Sequence, residues 1–262
     1  MLFVHEQNVK GKIGSNYHGK GEILNQFYHE EYLPVKNALS EIDFSLGRDS
    51  FIKGTRIINN YLKKLTEFGD KHHINAHSKF RSSFLEEIST YLFKDNEYIK
   101  SEKLGIYNKG IYAGMKIDSN MNIRVLKKDV DFCIGKKCNV KINNFDKGDI
   151  IIPIVAVEVK TYLDGTMFGE VQHSSKQIKN STPNAKTYVL METNDVGVDK
   201  IVAARYDNVI NEMFVLRFAT KYPIVDEVLE DYYDEISDAI KNIDEDDEVK
   251  VPGRLINTEK NS

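Results

Sequence analysis

Three residues in this chain have the types and spacing of a hydrolytic metal site. Asp131 stands just before the apolar run Phe132-Cys133-Ile134, and Glu158-Val159-Lys160 closes the run that begins at Ile151. From 151 to 157 every position is apolar, the composition of a strand covered on both faces, so ordinary exposure explains neither Glu158 nor Lys160. Side chains alternate along a strand, which puts Glu158 and Lys160 on the same side. If the segment with Asp131 lies alongside, two carboxylates form an oxygen-rich site of the kind Mg²⁺ takes. Lys160 then serves the attacking water and steadies charge on a phosphate. The competing reading is an exposed salt bridge at a strand end, with Asp131 capping a turn.

Several other residues compete for a place. Asp129 lies two positions from Asp131 on the same strand face and is its rival as ligand. A third carboxylate is expected from a helix over about 78–93, in which Phe80, Phe84, Ile88 and Leu92 recur at four-residue intervals. At about 100° per residue, Glu87 falls at the edge of that apolar face and is the candidate metal ligand, directly or through water, against the competing and slightly favoured reading of a solvated helix acid, whereas Glu86 points away. Gln172 and Lys176, four apart on a helix after the motif, are candidates for facing a nucleic-acid backbone or steadying the water, with a plain solvent-exposed helix face an equal reading. His73 and His77 are one helical turn apart, but no glutamate or cysteine completes a zinc pattern, and they read as surface histidines. His173 is a minor candidate for phosphate. Cys133 and Cys138 lack ligand partners and read as free thiols, and the 14 tyrosines form no stacking platform.

The elements that must position these residues form two blocks. Residues 1–20 show no periodicity and read as an irregular lead-in. The stretch 22–40 predicts one or two short helices broken at Pro34. Ile57, Ile58, Tyr61, Leu62, Leu65 and Phe68 predict an amphipathic helix over 55–68, stopped by Gly69. The first third is therefore helical. Short β-branched and aromatic segments follow. Two strands are expected within 104–117, joined at Asn108-Lys109-Gly110, then a longer one over 123–134, interrupted by Lys127-Lys128-Asp129 and turning at Gly135. After a polar turn around Asn143-Asn144 comes the strand with Glu158. Beyond it the pattern predicts a loop over 162–169, a helix over 170–179, strands over 186–192 and 213–218 around an irregular piece at Val196-Gly197, and an acidic helix over 224–240. The end from Asp244 reads as frayed. This is an α/β fold with a mixed central sheet flanked by helices and an N-terminal helical part. It divides into a helical region 1–75, a core 76–220 and an acidic helix and tail 221–262, expected to form one continuous domain.

Composition narrows the function. At 262 residues with 41% hydrophobic and 29% charged, the chain can bury a sizeable core, and no run approaches the ~18 apolar residues of a membrane span. Two cysteines give no disulfide framework and the start shows no secretory signal, so a reducing cytoplasm is expected. The net charge of −4 is uneven: residues 221–262 carry 13 acids and 5 bases, leaving 31 bases against 27 acids in 1–220. That balance permits a nucleic-acid partner without requiring one.

Val130-Asp131 before Phe132-Cys133-Ile134, and Glu158-Val159-Lys160 after its apolar run, resemble the two motifs of the PD-(D/E)XK nuclease superfamily. The resemblance covers roughly residues 75–220, and Val130 stands where the motif has proline. The run Glu158-Val159-Lys160-Thr161-Tyr162-Leu163-Asp164-Gly165-Thr166-Met167 is similar to type II restriction endonucleases in particular. The resemblance implies a restriction-endonuclease-like fold, site-specific hydrolysis of double-stranded DNA with Mg²⁺, and the catalytic set Asp131, Glu158 and Lys160. It also implies the Val159 carbonyl as a further metal ligand, a homodimer so that two sites cut two strands, and a companion DNA methyltransferase. The other expectations kept open are a repair or recombination nuclease on the same fold and a non-catalytic DNA-binding protein.

Overall fold

A computed structural model describes residues 2–75, 78–142 and 145–243. His77, the turn at Asn143-Asn144 and the tail from Asp244 lie outside the described residues.

The helical third comprises α1 (Val4–Gly14), α2 (Gly21–Phe27), α3 (Leu33–Ser40), α4 (Arg48–Lys71), α5 (Ser82–Phe93) and the single turn α6 (Glu97–Lys100). Helix α1 occupies the expected irregular lead-in. It is held by tertiary contacts rather than by its own periodicity, with His5, Val9 and Lys12 buried on one side. Pro34 does not break the 22–40 stretch, because it falls in the first turn of α3, where its missing N–H costs nothing. Helix α4 buries Phe51, Ile58, Leu62 and Leu65 at helical spacing. It is tied to the last helix, α9 (Asp226–Lys241), by Arg48, which reaches Asp226 at 2.8 Å, Glu227 at 2.6 Å and Glu230 at 2.8 Å.

The sheet contains β1 (Gly105–Tyr107), β2 (Ile111–Ile117), β3 (Ile123–Lys128), β4 (Phe132–Ile142), β5 (Phe145–Leu163), β6 (Lys186–Asn194) and β7 (Glu212–Val215). Strands run in the order β1-β4-β5-β2-β3, and β6 pairs with the later part of β5 and carries β7 outside it. The pairs β4–β5 and β2–β3 are antiparallel, whereas β5–β6 and β6–β7 are parallel. The two strands expected within 104–117 both form but do not pair with each other: β1 joins β4 and β2 joins β3. Gly135 does not turn the chain; β4 runs on through it with a register shift. Glycine is required there because an added Cβ would collide with the Ile152 carbonyl on β5.

Two helices complete the fold, α7 (Gly165–Ser181) and α8 (Val198–Asp207). The expected loop over 162–169 is mostly helix, since Asp164 caps α7 by accepting 2.8 Å hydrogen bonds from the N–H groups of Thr166 and Met167. Helix α8 replaces the irregular piece expected there.

The central strands β4 and β5 are covered on both faces. On one, Phe132, Ile134, Val155, Val157, Val159, Tyr188 and Leu190 pack against Phe84, Ile88 and Leu92 of α5 and Leu229, Tyr232 and Ile236 of α9. On the other, Cys133 and Ala156 meet Ile178 of α7 and Ile111. Each large apolar side chain so buried contributes about 1.5–3 kcal/mol, which fixes the register of β4 against β5 far more firmly than any polar pair at its end.

Candidate active site

The antiparallel register pairs Phe132 with Val157, and this sets Asp131, one residue before β4, beside Glu158 on β5. Asp131 Oδ2 accepts a 2.8 Å hydrogen bond from the Val159 N–H. The Lys160 ammonium lies 3.2 Å from Glu158 Oε2 and 3.6 Å from Asp131 Oδ2. Ser174, from the middle of α7, donates to Glu158 Oε1 at 2.8 Å. The structure therefore brings Asp131, Glu158 and Lys160 together.

Asp129 is not part of this group. It is exposed, and its Oδ1 accepts from the Gly110 N–H at 3.0 Å, bracing the turn before β2.

The helix-borne acids are placed opposite to expectation. Glu87 is buried in the helical third, where Oε1 accepts from the hydroxyls of Tyr32 at 2.8 Å and Tyr91 at 2.7 Å. Its Oε2 takes the N–H groups of His5 at 2.8 Å and Glu6 at 3.2 Å. Four donors consume this carboxylate and it does not reach the sheet edge. Glu86 instead faces the site, through Lys79, whose ammonium stands 3.2 Å from Glu86 Oε1 and 3.8 Å from Asp131 Oδ1. Helix α5 has no solvent face from which to separate the two acids by angle: every residue from Ser83 to Phe93 is buried, so both acids point into packed surroundings.

Lys79 and Ser174 were not read from the sequence. Ser174 lies between Gln172 and Lys176, and its only signal was its place on the helix after the motif. Lys176 and His173 are exposed, and Cys133 and Cys138 are free thiols.

The electrostatics are those of a crowded carboxylate site. Burial pushes the Asp131 carboxyl above the usual range; Lys160 opposes the shift and Glu158 adds to it. Burial likewise raises Glu86, with the Asp131 charge adding to it and Lys79 opposing. For Lys160, burial works against the charge, but Asp131 and Glu158 outweigh it and hold the ammonium above its ordinary pKa. Lys160 is thus a charged donor at neutral pH, not a free amine.

Among the described residues no three His, Cys, Asp or Glu side chains are gathered closely enough to hold a metal. The donor chemistry nonetheless fits a hard divalent cation. Asp131, Glu158 and Glu86 offer carboxylate oxygens from three different elements, and two lysine ammonium groups stand among them where positive charge is stabilised.

The model of the Bpu10I restriction endonuclease family matches residues 100–248, more than half of the chain and the part that holds Asp131, Glu158 and Lys160. Among solved structures, a chain of the native BbvCI A2B2 tetramer is similar in fold, with a TM-score of 0.74 at 18% identity over 92% of this chain and 98% of that one. No curated protein matches the chain.

Proposed function

The chain belongs to the Bpu10I restriction endonuclease family and is a type II site-specific DNA endonuclease, and on that premise we propose that Asp131, Glu158 and Lys160 form its cutting site on double-stranded DNA. The observation that carries this reading is the convergence of these three side chains at one end of β5, with the Val159 N–H fixing the first of them.

Restriction endonucleases generally use a divalent metal, and we take it to be Mg²⁺. Asp131 and Glu158 would hold it, with the Val159 carbonyl as a further ligand and Glu86, in place of Glu87, as the carboxylate from α5. A bound divalent ion supplies a lowered water pKa and neutralises charge gathering on the phosphate. The chain's own groups do the positioning. Ser174 keeps Glu158 from rotating, and Val159 does the same for Asp131. Lys160, held cationic by its two carboxylate neighbours, donates to the attacking water and to the phosphate oxygen that gains charge. The water oxygen bonds to phosphorus as the P–O bond opposite it breaks, an in-line displacement in which the water's proton passes to solvent and the departing oxygen takes one up from solvent.

Cutting two strands calls for two such sites. We propose that the chain works as a multimer, in its simplest form a homodimer, with a companion DNA methyltransferase protecting the host's own sites. The fold likeness to BbvCI, itself an A2B2 tetramer, favours an assembly with a second kind of subunit as the alternative. Mass determination in solution, alone and with duplex DNA, decides between them.

The test is incubation of plasmid and phage DNA with the protein and Mg²⁺. Discrete fragments, lost in Glu158→Ala or on chelation, support the reading. Smearing or junction-dependent cutting would contradict it.

A further inference from the structure

Lys79 is a second lysine at the carboxylate cluster, and its setting differs from that of Lys160. The side chain of Lys160 is 29% exposed and spans the two motif carboxylates. That of Lys79 is 60% exposed, yet its tip lies between Glu86, which is 6% exposed, and Asp131, at 3.2 and 3.8 Å. Its backbone is in the left-handed region at φ 57°, uncommon for a non-glycine residue and often found where a side chain must be presented at a functional site. Glu86 and Asp131 come from different parts of the chain, and the Lys79 ammonium stands within 4 Å of a carboxylate oxygen of each, bridging the two negative groups. A lysine ammonium is a compact charge on a flexible four-carbon stem, suited to doing so reversibly.

We propose that Lys79 is a displaceable counter-ion that occupies, in the DNA-free protein, the charge position a divalent ion needs, and that it moves to a backbone phosphate when duplex DNA arrives. The proposal rests on the reading that Asp131 belongs to the metal site. Lys79 is a positioning residue in this account. It keeps Glu86 and Asp131 oriented and neutralised while the site is idle, and its departure couples ion binding to DNA binding. Because the coupling is thermodynamic, Mg²⁺ strengthens DNA binding by the same factor by which DNA strengthens Mg²⁺ binding.

The experiment is a calorimetric titration of the full chain with Mg²⁺ in the absence of DNA, comparing wild type, Lys79→Met and Lys79→Arg. Removing the competing charge in Lys79→Met should tighten Mg²⁺ binding by roughly 5-fold or more, within the usual range of such couplings, and Lys79→Arg should stay near wild type. Equal or weaker Mg²⁺ binding in Lys79→Met overturns the proposal. A second arm measures duplex DNA binding with and without Mg²⁺ in a Lys160→Met background that does not cut. There the gain from Mg²⁺ should shrink when Lys79→Met is added, and an unchanged gain also overturns the proposal. Asp131→Asn separates the two levels: loss of the Mg²⁺ signal ties it to this site, while a signal that survives overturns the underlying site reading and this inference with it.

Discussion

Asp131 is fastened to Val159: its Oδ2 accepts the Val159 N–H at 2.8 Å, so the first carboxylate is held by the backbone of the strand that carries the other two groups. A backbone donor does not change with the side chain at 159, and the β4–β5 register behind it rests on buried apolar pairs. The position of Asp131 relative to Glu158 and Lys160 is therefore a property of the fold, not of the polar residues alone.

The anchoring of Glu158 uses side chains alone, the Ser174 hydroxyl on Oε1 and the Lys160 ammonium on Oε2. Ser174→Ala removes the donor to Glu158 Oε1. Losing a partner of this kind typically costs 10–100-fold. Cleavage by Ser174→Ala should fall about 10-fold with little change in thermal stability, as measured by single-turnover digestion and a melting curve. An unchanged rate would remove Ser174 from the site.

Glu86 and Glu87 should separate cleanly. Glu87→Ala strands two buried tyrosine hydroxyls and two backbone N–H groups, and should cost about 3 kcal/mol or more in urea denaturation. Glu86→Gln should leave the urea midpoint nearly unchanged and weaken Mg²⁺ binding. The reverse pattern would restore Glu87 as the metal residue.

The contrast shows what the sequence could reveal. The motif on β5 was legible because a buried strand has one reading: an apolar run with alternating sides, ending in charges that need a partner. The partner was legible too, since Asp131 adjoins a second apolar run. Periodicity separates Glu86 from Glu87 only on a helix with a wet face, and α5 has none. Helix α1 was hidden for a related reason. It has little apolar periodicity of its own and is fastened by His5 and Lys12 to residues far along the chain, with Lys12 Nζ donating to Asn8 Oδ1 and the Ser78 carbonyl. Gly135 looked like a turn because glycine marks turns, whereas here it marks close approach of two strands. Long-range contact, invisible to local pattern, decided each of these cases.

His5 should give the protein an acid-sensitive slope. Burial, with the charge of Lys12 adding to it, lowers its pKa from 6.5 to about 3, and its ring nitrogens lie 2.9 Å from Ser83 Oγ and 2.8 Å from the Tyr61 hydroxyl. Between those two pKa values the unfolded chain binds a proton that the folded protein refuses, so stability rises with pH and is lost as pH falls below about 6.5. The slope is at most about 1.4 kcal/mol per pH unit for this one group. Urea titrations at pH 7, 6, 5 and 4 should show a shallower acid loss for His5→Gln than for wild type. Parallel curves would mean that the ring is protonated in the folded protein.

A second polar cluster lies at the end of β6. Glu192 Oε2 pairs with Arg81 at 2.7 Å and with Arg217 at 3.0 Å, and Arg217 Nη1 donates to the carbonyls of Thr220 and Tyr222 after β7. Glu192 and Arg217 are buried, so removing the carboxylate leaves a guanidinium without its counter-charge. Glu192→Ala should destabilise by about 3 kcal/mol, the low end for a broken buried pair because Arg81 is partly exposed. A loss below ~1 kcal/mol in urea denaturation would show that solvent reaches the cluster.

The central claim is that Asp131, Glu158 and Lys160 cut DNA as one unit. Its most direct measurement is the single-turnover cleavage rate of a cognate duplex with Mg²⁺ for Asp131→Asn, Glu158→Gln and Lys160→Met, alone and in pairs, alongside duplex binding by gel shift. Each single variant should lose at least about 10³-fold in rate, pairs should lose little more because the groups act together, and the duplex should still be bound. Cleavage that persists within a few-fold of wild type in Glu158→Gln would contradict the claim.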